Sequence, residues 1–228
     1  MANILSAEEL KALKSIDTPT ICNAIETFMV RGRVEGFMTL NIRCLLPELG
    51  TMVGYAIPMT VDSTTPGIPQ DPQVWYQWLK AMESSPKPGV LVMKDIGPQR
   101  LRSAHLGEVM GTLARRLGVV GIVTDGGLRD ILEVKQLGLQ CFAAGLVAAH
   151  GNPRLIEIGV PVVIDNVPIR PGDLLHGDPN GLTVIPEEIA GKVAGACQNV
   201  RQAEAELMNY IKSPEFTPEG FMKRRFSH

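Results

Sequence analysis

Val119-Val120-Gly121-Ile122-Val123-Thr124-Asp125-Gly126-Gly127-Leu128-Arg129-Asp130 decides the fold class of this chain. Its first five residues form a continuous apolar run, the pattern of a strand buried on both faces. Thr124-Asp125-Gly126-Gly127 then reads as a glycine turn, with a helix expected from about Arg129 to Leu137. Upstream, a helix is expected from Glu108 to Leu117, and a second buried run, Gly89-Val90-Leu91-Val92-Met93, ends at Lys94-Asp95. Downstream, a strand is expected from Gln140 to Ala144. Strands alternating with helices in this way imply βαβ units and a partly parallel sheet, hence an α/β fold.

Working outward, Ser6-Ala7-Glu8-Glu9 has capping-box form and starts a first helix. Thr18-Pro19 caps a second, with Ile21, Ala24, Ile25 and Phe28 on its apolar face. Thr51 to Ile57 reads as a strand, residues 62 to 72 as a surface loop, and Trp75, Trp78, Leu79 and Met82 as the core face of a helix. Val160 to Ile164 and Leu182 to Ile185 add strands, the second after a tight turn at Asp178-Pro179-Asn180-Gly181. Pro186-Glu187-Glu188 opens a long C-terminal helix. Without a repeat or a linker, residues 1–228 are expected to form one α/β domain with N-terminal helices and a helical C-terminal arm.

Composition narrows the function classes. At 45% hydrophobic and 20% charged residues, the chain has the make-up of a soluble globular protein. A formal charge of -2 gives no electrostatic case for nucleic acid, and Lys223-Arg224-Arg225 reads as a solvated tail. No apolar run approaches the roughly 20 residues that span a bilayer. Met1 to Ser6 lacks the basic start and apolar stretch of a signal peptide. Cys22, Cys44, Cys141 and Cys197 show neither metal-knuckle nor redox spacing and read as small buried residues. A cytoplasmic protein with no nucleic-acid or membrane partner is expected.

Two helix starts carry the candidate chemistry: His105-Leu106-Gly107-Glu108-Val109-Met110 and Asp125 to Asp130. Free N–H groups at a helix start suit an anion, Arg129 suits a carboxylate, and Asp130 or Glu108 suits a hard cation. Each acid also has a plain reading as a first-turn residue set against the helix dipole. His105 reads either as a general acid–base or as a structural histidine. His150 and His176 have no partner at ligand spacing, which argues against zinc. No Walker loop, no Gly-x-Gly-x-x-Gly fingerprint and no nucleophile elbow is present.

At these residues the sequence resembles the RraA-like family, which includes class II 4-hydroxy-4-methyl-2-oxoglutarate/4-carboxy-4-hydroxy-2-oxoadipate aldolases and regulators of ribonuclease E activity. The resemblance runs from about Leu13 to Ile211. It rests on Glu108, the stretch 109–128, then Arg129-Asp130, supported by Val119 to Gly127 and by Pro171-Gly172-Asp173-Leu174-Leu175. It implies a swivelling ββα sandwich, assembled as a homotrimer or homohexamer with sites at subunit interfaces. It also implies that Asp130 binds Mg²⁺ or Mn²⁺ directly and that Glu108 acts on the metal through water. Arg129 would hold a 2-oxo acid, with Asp125 and the Gly107, Val109 and Met110 backbone also in the substrate site. The implied reaction is carbon–carbon cleavage through a pyruvate enolate, either retro-aldol cleavage or oxaloacetate decarboxylation. The alternatives are a non-catalytic ribonuclease regulator and a sugar-acid dehydratase or oxo-acid hydrolase using the same site. Glu108 departs from the aldolase pattern, in which this position is typically aspartate.

Overall fold

The computed structural model describes residues 4–63 and 68–226. In chain order the helices are α1 (Ala7–Lys14), α2 (Thr18–Glu26), α3 (Pro72–Ser84), α4 (Glu108–Arg116), α5 (Ile131–Gln136), α6 (Ala190–Lys212) and α7 (Pro218–Phe226). The strands are β1 (Arg43–Cys44), β2 (Met52–Asp62), β3 (Gly89–Asp95), β4 (Val119–Leu128), β5 (Gln140–Leu146), β6 (Arg154–Ile158), β7 (Val162–Ile164), β8 (Val167–Ile169), β9 (Leu174–Asp178) and β10 (Gly181–Ile185). The main sheet runs β1-β5-β4-β3-β2-β9-β10, with β6 also paired to β2. Its centre, β2 to β5, is parallel, as the βαβ alternation requires, and its flanks are antiparallel.

Side-chain alternation sends the central strands into two cores. Leu91, Met93, Ile122, Cys141 and Ala143 pack with Trp78, Met82 and Ala114 beneath α3, α4 and α5. Val90, Val92, Val123 and Phe142 pack on the other face against Ile164 and Ile169 of the β7–β8 hairpin. A third cluster joins Leu13, Ile21 and Ile25 of α1 and α2 to Tyr55, Val193 and Cys197. Burial on both faces explains the unbroken apolar runs. The result is an α/β sandwich with N-terminal helices and a helical C-terminal arm. No helix among the described residues is long and apolar enough to cross a membrane.

The structure corrects the sequence reading at its centre. Thr124 to Gly127 is not a turn, because β4 continues through Leu128. It does so by changing partners: its register with β5 shifts between Thr124 and Gly127, and Ser103–Leu106 takes up the other edge. The following helix starts at Ile131, not Arg129, because Asp130 sits in the left-handed region at φ 53° and ψ 43°. Thr18 is the first residue of α2, whose cap is Asp17. β7 starts only after Pro161, which has no N–H to give a ladder. β6, β8 and β9 are additional strands. Lys223 to Arg225 lies in α7, where the Arg224 guanidinium sits 3.8 Å from the Tyr210 ring centroid. Of the loop expected over 62–72, residues 64–67 lie outside those described, and Asp62 closes β2.

The capping box of α1 is formed. Ser6 Oγ accepts the Glu9 N–H at 3.2 Å, and Glu9 Oε2 accepts the Ser6 N–H at 2.8 Å. Ser6→Ala is expected to cost about 1 kcal/mol in urea unfolding. No change at all would mean that docking of Leu13, not the cap, holds α1 in place.

Candidate active site

The segment before α4 runs alongside the end of β4. Ser103 O accepts from Gly127 N at 3.1 Å, His105 N donates to Gly127 O at 2.9 Å, and Arg129 N donates to Leu106 O at 3.2 Å. This short ladder sets Gly107-Glu108 abreast of Arg129-Asp130. It supplies the physical reason for their sequence spacing, which is the length of chain taken by α4 and β4.

Four expected residues therefore meet. Asp130 Oδ2 accepts the Glu108 N–H at 3.0 Å and lies 3.7 Å from Arg129 Nε. Gly107 allows this close approach, because a Cβ at that position would fall 2.5 Å from Asp130 Oδ2 and displace it. The same residue leaves α4 without a side-chain cap. The Val109 and Met110 amides, which have no intrahelical acceptor in a first turn, thus stay open to an anion. Glu108 is exposed, and the side chains of Arg129 and Asp130 are 36% and 37% accessible. The cluster combines a cation, two acids and free amides at the carboxyl end of a parallel strand.

His105 and Asp125 are placed elsewhere. The His105 side chain is wholly buried behind Gly126, where a Cβ would fall 2.3 Å from its Cε1. Its Nδ1 lies 2.6 Å from Thr124 Oγ1, and its Nε2 lies 2.9 Å from Asp95 Oδ2 and 3.0 Å from Ser63 Oγ. Ser63 also hydrogen-bonds Asp95. Burial raises the Asp95 carboxyl, but hydrogen bonds from His105, Ser63 and the Gly97 amide outweigh it and hold the pKa below 3.8. This knot ties β2, β3 and β4 together, and it leaves the His105 side chain with no exposed surface. Asp125 is buried on a different cleft, with Oδ1 accepting Asp95 N at 2.8 Å and Oδ2 lying 2.5 Å from Lys94 Nζ. Sequence reading missed Ser63, Asp95 and Thr124, although the polar end of the β3 run at Lys94-Asp95 marks where buried charge enters.

Among the described residues no group of three or more His, Cys, Asp or Glu converges. The described residues therefore do not assemble a fully protein-bound zinc centre. Asp130 with Glu108 does fit Mg²⁺ or Mn²⁺ chemistry, which needs one or two carboxylates and keeps several waters. Asp130 Oδ1 accepts no hydrogen bond among the described residues, so one oxygen of this half-exposed carboxylate is free for a cation. The cysteines stay apart from this chemistry. Burial pushes the thiol of Cys141 up to about 12 and that of Cys197 up to about 11, the behaviour of inert core residues.

A family model described as RraA-like, Aldolase/RraA, matches residues 18–184. The chain belongs to the RraA-like family. A relative from Halalkalibacterium halodurans, named provisionally as a 4-hydroxy-4-methyl-2-oxoglutarate aldolase, is 36% identical over 129 residues. That match covers 56% of this RraA-like chain and 59% of the relative, so the chain spans little more than half the relative's length. An uncharacterized protein from Pseudomonas syringae pv. tomato superposes with a TM-score of 0.76 at 23% identity, covering 100% of this chain and 97% of that one. Streptomyces coelicolor RraAS2, described as an unusual member of the RNase ES inhibitor RraA protein family, gives 0.68 at 22% identity, over 90% and 97% of the two chains. These two likenesses bear on the fold, and they bear out the RraA-like architecture.

Proposed function

We propose that this RraA-like protein is a divalent-metal-dependent lyase that cleaves a carbon–carbon bond in a small 2-oxo acid. The substrate is a 4-hydroxy-4-methyl-2-oxoglutarate-like acid in retro-aldol cleavage, or oxaloacetate in decarboxylation. The observation that carries the reading is the meeting of Glu108, Arg129 and Asp130 around Gly107. Asp130 would hold Mg²⁺ or Mn²⁺ directly and Glu108 through water, and the ion would supply positive charge where the enolate oxygen becomes negative.

The protein's own groups do the rest. Arg129 grips the carboxylate of the oxo acid, and the Val109 and Met110 amides meet the same negative end. Glu108, by way of water, takes the proton of the substrate's 4-hydroxyl. The C3–C4 bond then breaks, its electrons pass into the C2–C3 enolate, and protonation at C3 gives pyruvate. In decarboxylation the bond to the departing CO₂ supplies the same electrons, and no hydroxyl proton is removed.

Assembly is part of the proposal. Ile96, Leu101, Val109, Leu132 and Leu146 are exposed on segments at or beyond the carboxyl ends of β3, β4 and β5. Apolar exposure around a site favours a covering subunit, which supports a homotrimer or homohexamer with sites at its interfaces.

Pyruvate release from both substrates, with Mg²⁺ and with EDTA, tests the reaction. Inactivity towards both would move the assignment to a dehydratase or hydrolase. Stable binding of a ribonuclease without turnover would favour the regulator. Glu108→Gln is expected to lower kcat about 10²-fold while pyruvate inhibition changes less than about twofold. Equal losses in both would make Glu108 a builder of the site and not a proton carrier.

A further inference from the structure

A cleft of about 500 Å³ opens on the face of β4 opposite His105. Its walls include Asn41, Arg43, Lys94, Arg100, Asp125 and Asp165, and none of Gly107, Glu108, Arg129 or Asp130. The alternation of β4 creates the separation, since Gly126 faces the buried histidine and Asp125 faces the cleft.

Its charges do not cancel. Asp125 is 6% exposed and is matched by Lys94 at 2.5 Å. Asp165 already accepts hydrogen bonds from the Thr39 amide and from Asn41 Nδ2. Arg43 uses only Nε, which donates to Leu40 O at 3.0 Å, leaving its terminal nitrogens without a partner among the described residues. Arg100 approaches Asp125 only to 4.0 Å. Two guanidinium groups thus line a polar cleft with their terminal nitrogens free of partners among the described residues, the arrangement that takes carboxylates in pairs. The volume exceeds what inorganic phosphate needs and lies in the range of small-molecule pockets.

We propose that this cleft is a second anion site, which binds a small organic dianion carrying two carboxylates through Arg43 and Arg100. Lys94 and Asp125, paired with each other, line the same cleft. The site does not depend on the lyase reading, because its residues are separate from the Glu108–Asp130 cluster.

Calorimetric titration of the full chain with succinate, and separately with inorganic phosphate, tests this. Both arginines are exposed, so Arg43→Ala/Arg100→Ala leaves the core intact, as circular dichroism would verify. Succinate is expected to bind the wild type, to bind the double variant at least about tenfold more weakly, and to bind Arg129→Ala within about twofold of wild type. Unchanged binding in the double variant overturns the assignment, as does loss of binding in Arg129→Ala alone. Phosphate binding as tight as succinate overturns the organic dianion, and no heat with succinate at about 10 mM overturns the site itself.

Discussion

Asp130→Asn is expected to lower metal-dependent pyruvate release by about 10³-fold or more while leaving the fold intact. Asparagine is the informative replacement because of the backbone. At φ 53° and ψ 43° the residue is left-handed, a region that Asp and Asn tolerate better than other side chains. Alanine there would add roughly 1–2 kcal/mol of strain and blur a chemical loss with a structural one. The asparagine carbonyl can still accept the Glu108 N–H, so the start of α4 keeps its anchor. What disappears is the negative charge proposed to hold the cation. The measurement is kcat in saturating Mg²⁺ beside the urea midpoint. Wild-type rates in Asp130→Asn that also persist in EDTA would sink the metal proposal.

His105→Ala is expected to destabilise the protein by about 3–5 kcal/mol, because it strands the buried Asp95 carboxylate without its main partner. The loss should appear in urea unfolding even in the absence of substrate, which separates support of the fold from catalysis. The pH dependence gives a second readout. Since the folded pKa of Asp95 is depressed, its contribution is complete above 3.8 and is lost as pH falls below that value towards the folded pKa. Asp95→Asn should therefore flatten the acid limb of the stability curve. A His105→Ala protein of wild-type stability but no activity would return His105 to a catalytic role.

Much of the fold was legible because burial on both faces leaves a simple trace. The apolar runs at Gly89–Met93 and Val119–Val123 name the parallel centre without ambiguity. β9 was not legible, because Leu174-Leu175-His176-Gly177-Asp178 carries buried polar residues whose partners lie far away in sequence. His176 Nε2 meets Leu13 O at 3.0 Å, and Asp178 Oδ2 accepts the Thr18 amide at 2.9 Å. No local pattern contains that information. At the site, the spacing of Glu108 and Arg129-Asp130 pointed correctly to their meeting. The path did not follow the expectation of a glycine turn at Thr124 to Gly127, because β4 runs straight through those residues. Glycine is needed at position 126 to admit an imidazole, and a residue kept small for packing looks in sequence like one kept small for a turn.

The continuation of β4 past its register shift has a consequence for adaptation. One short segment, the end of β4 and the two residues after it, carries a wall of the dianion cleft, the seat of the buried imidazole and the pair proposed to do the chemistry. A replacement that tilts this segment disturbs all three together, so directed evolution will find few gains there. Val109 and Leu132 sit on separate helices, in the first turns of α4 and α5, and are exposed. Libraries that vary those positions have room to change which acid is accepted while the shared strand stays as it is.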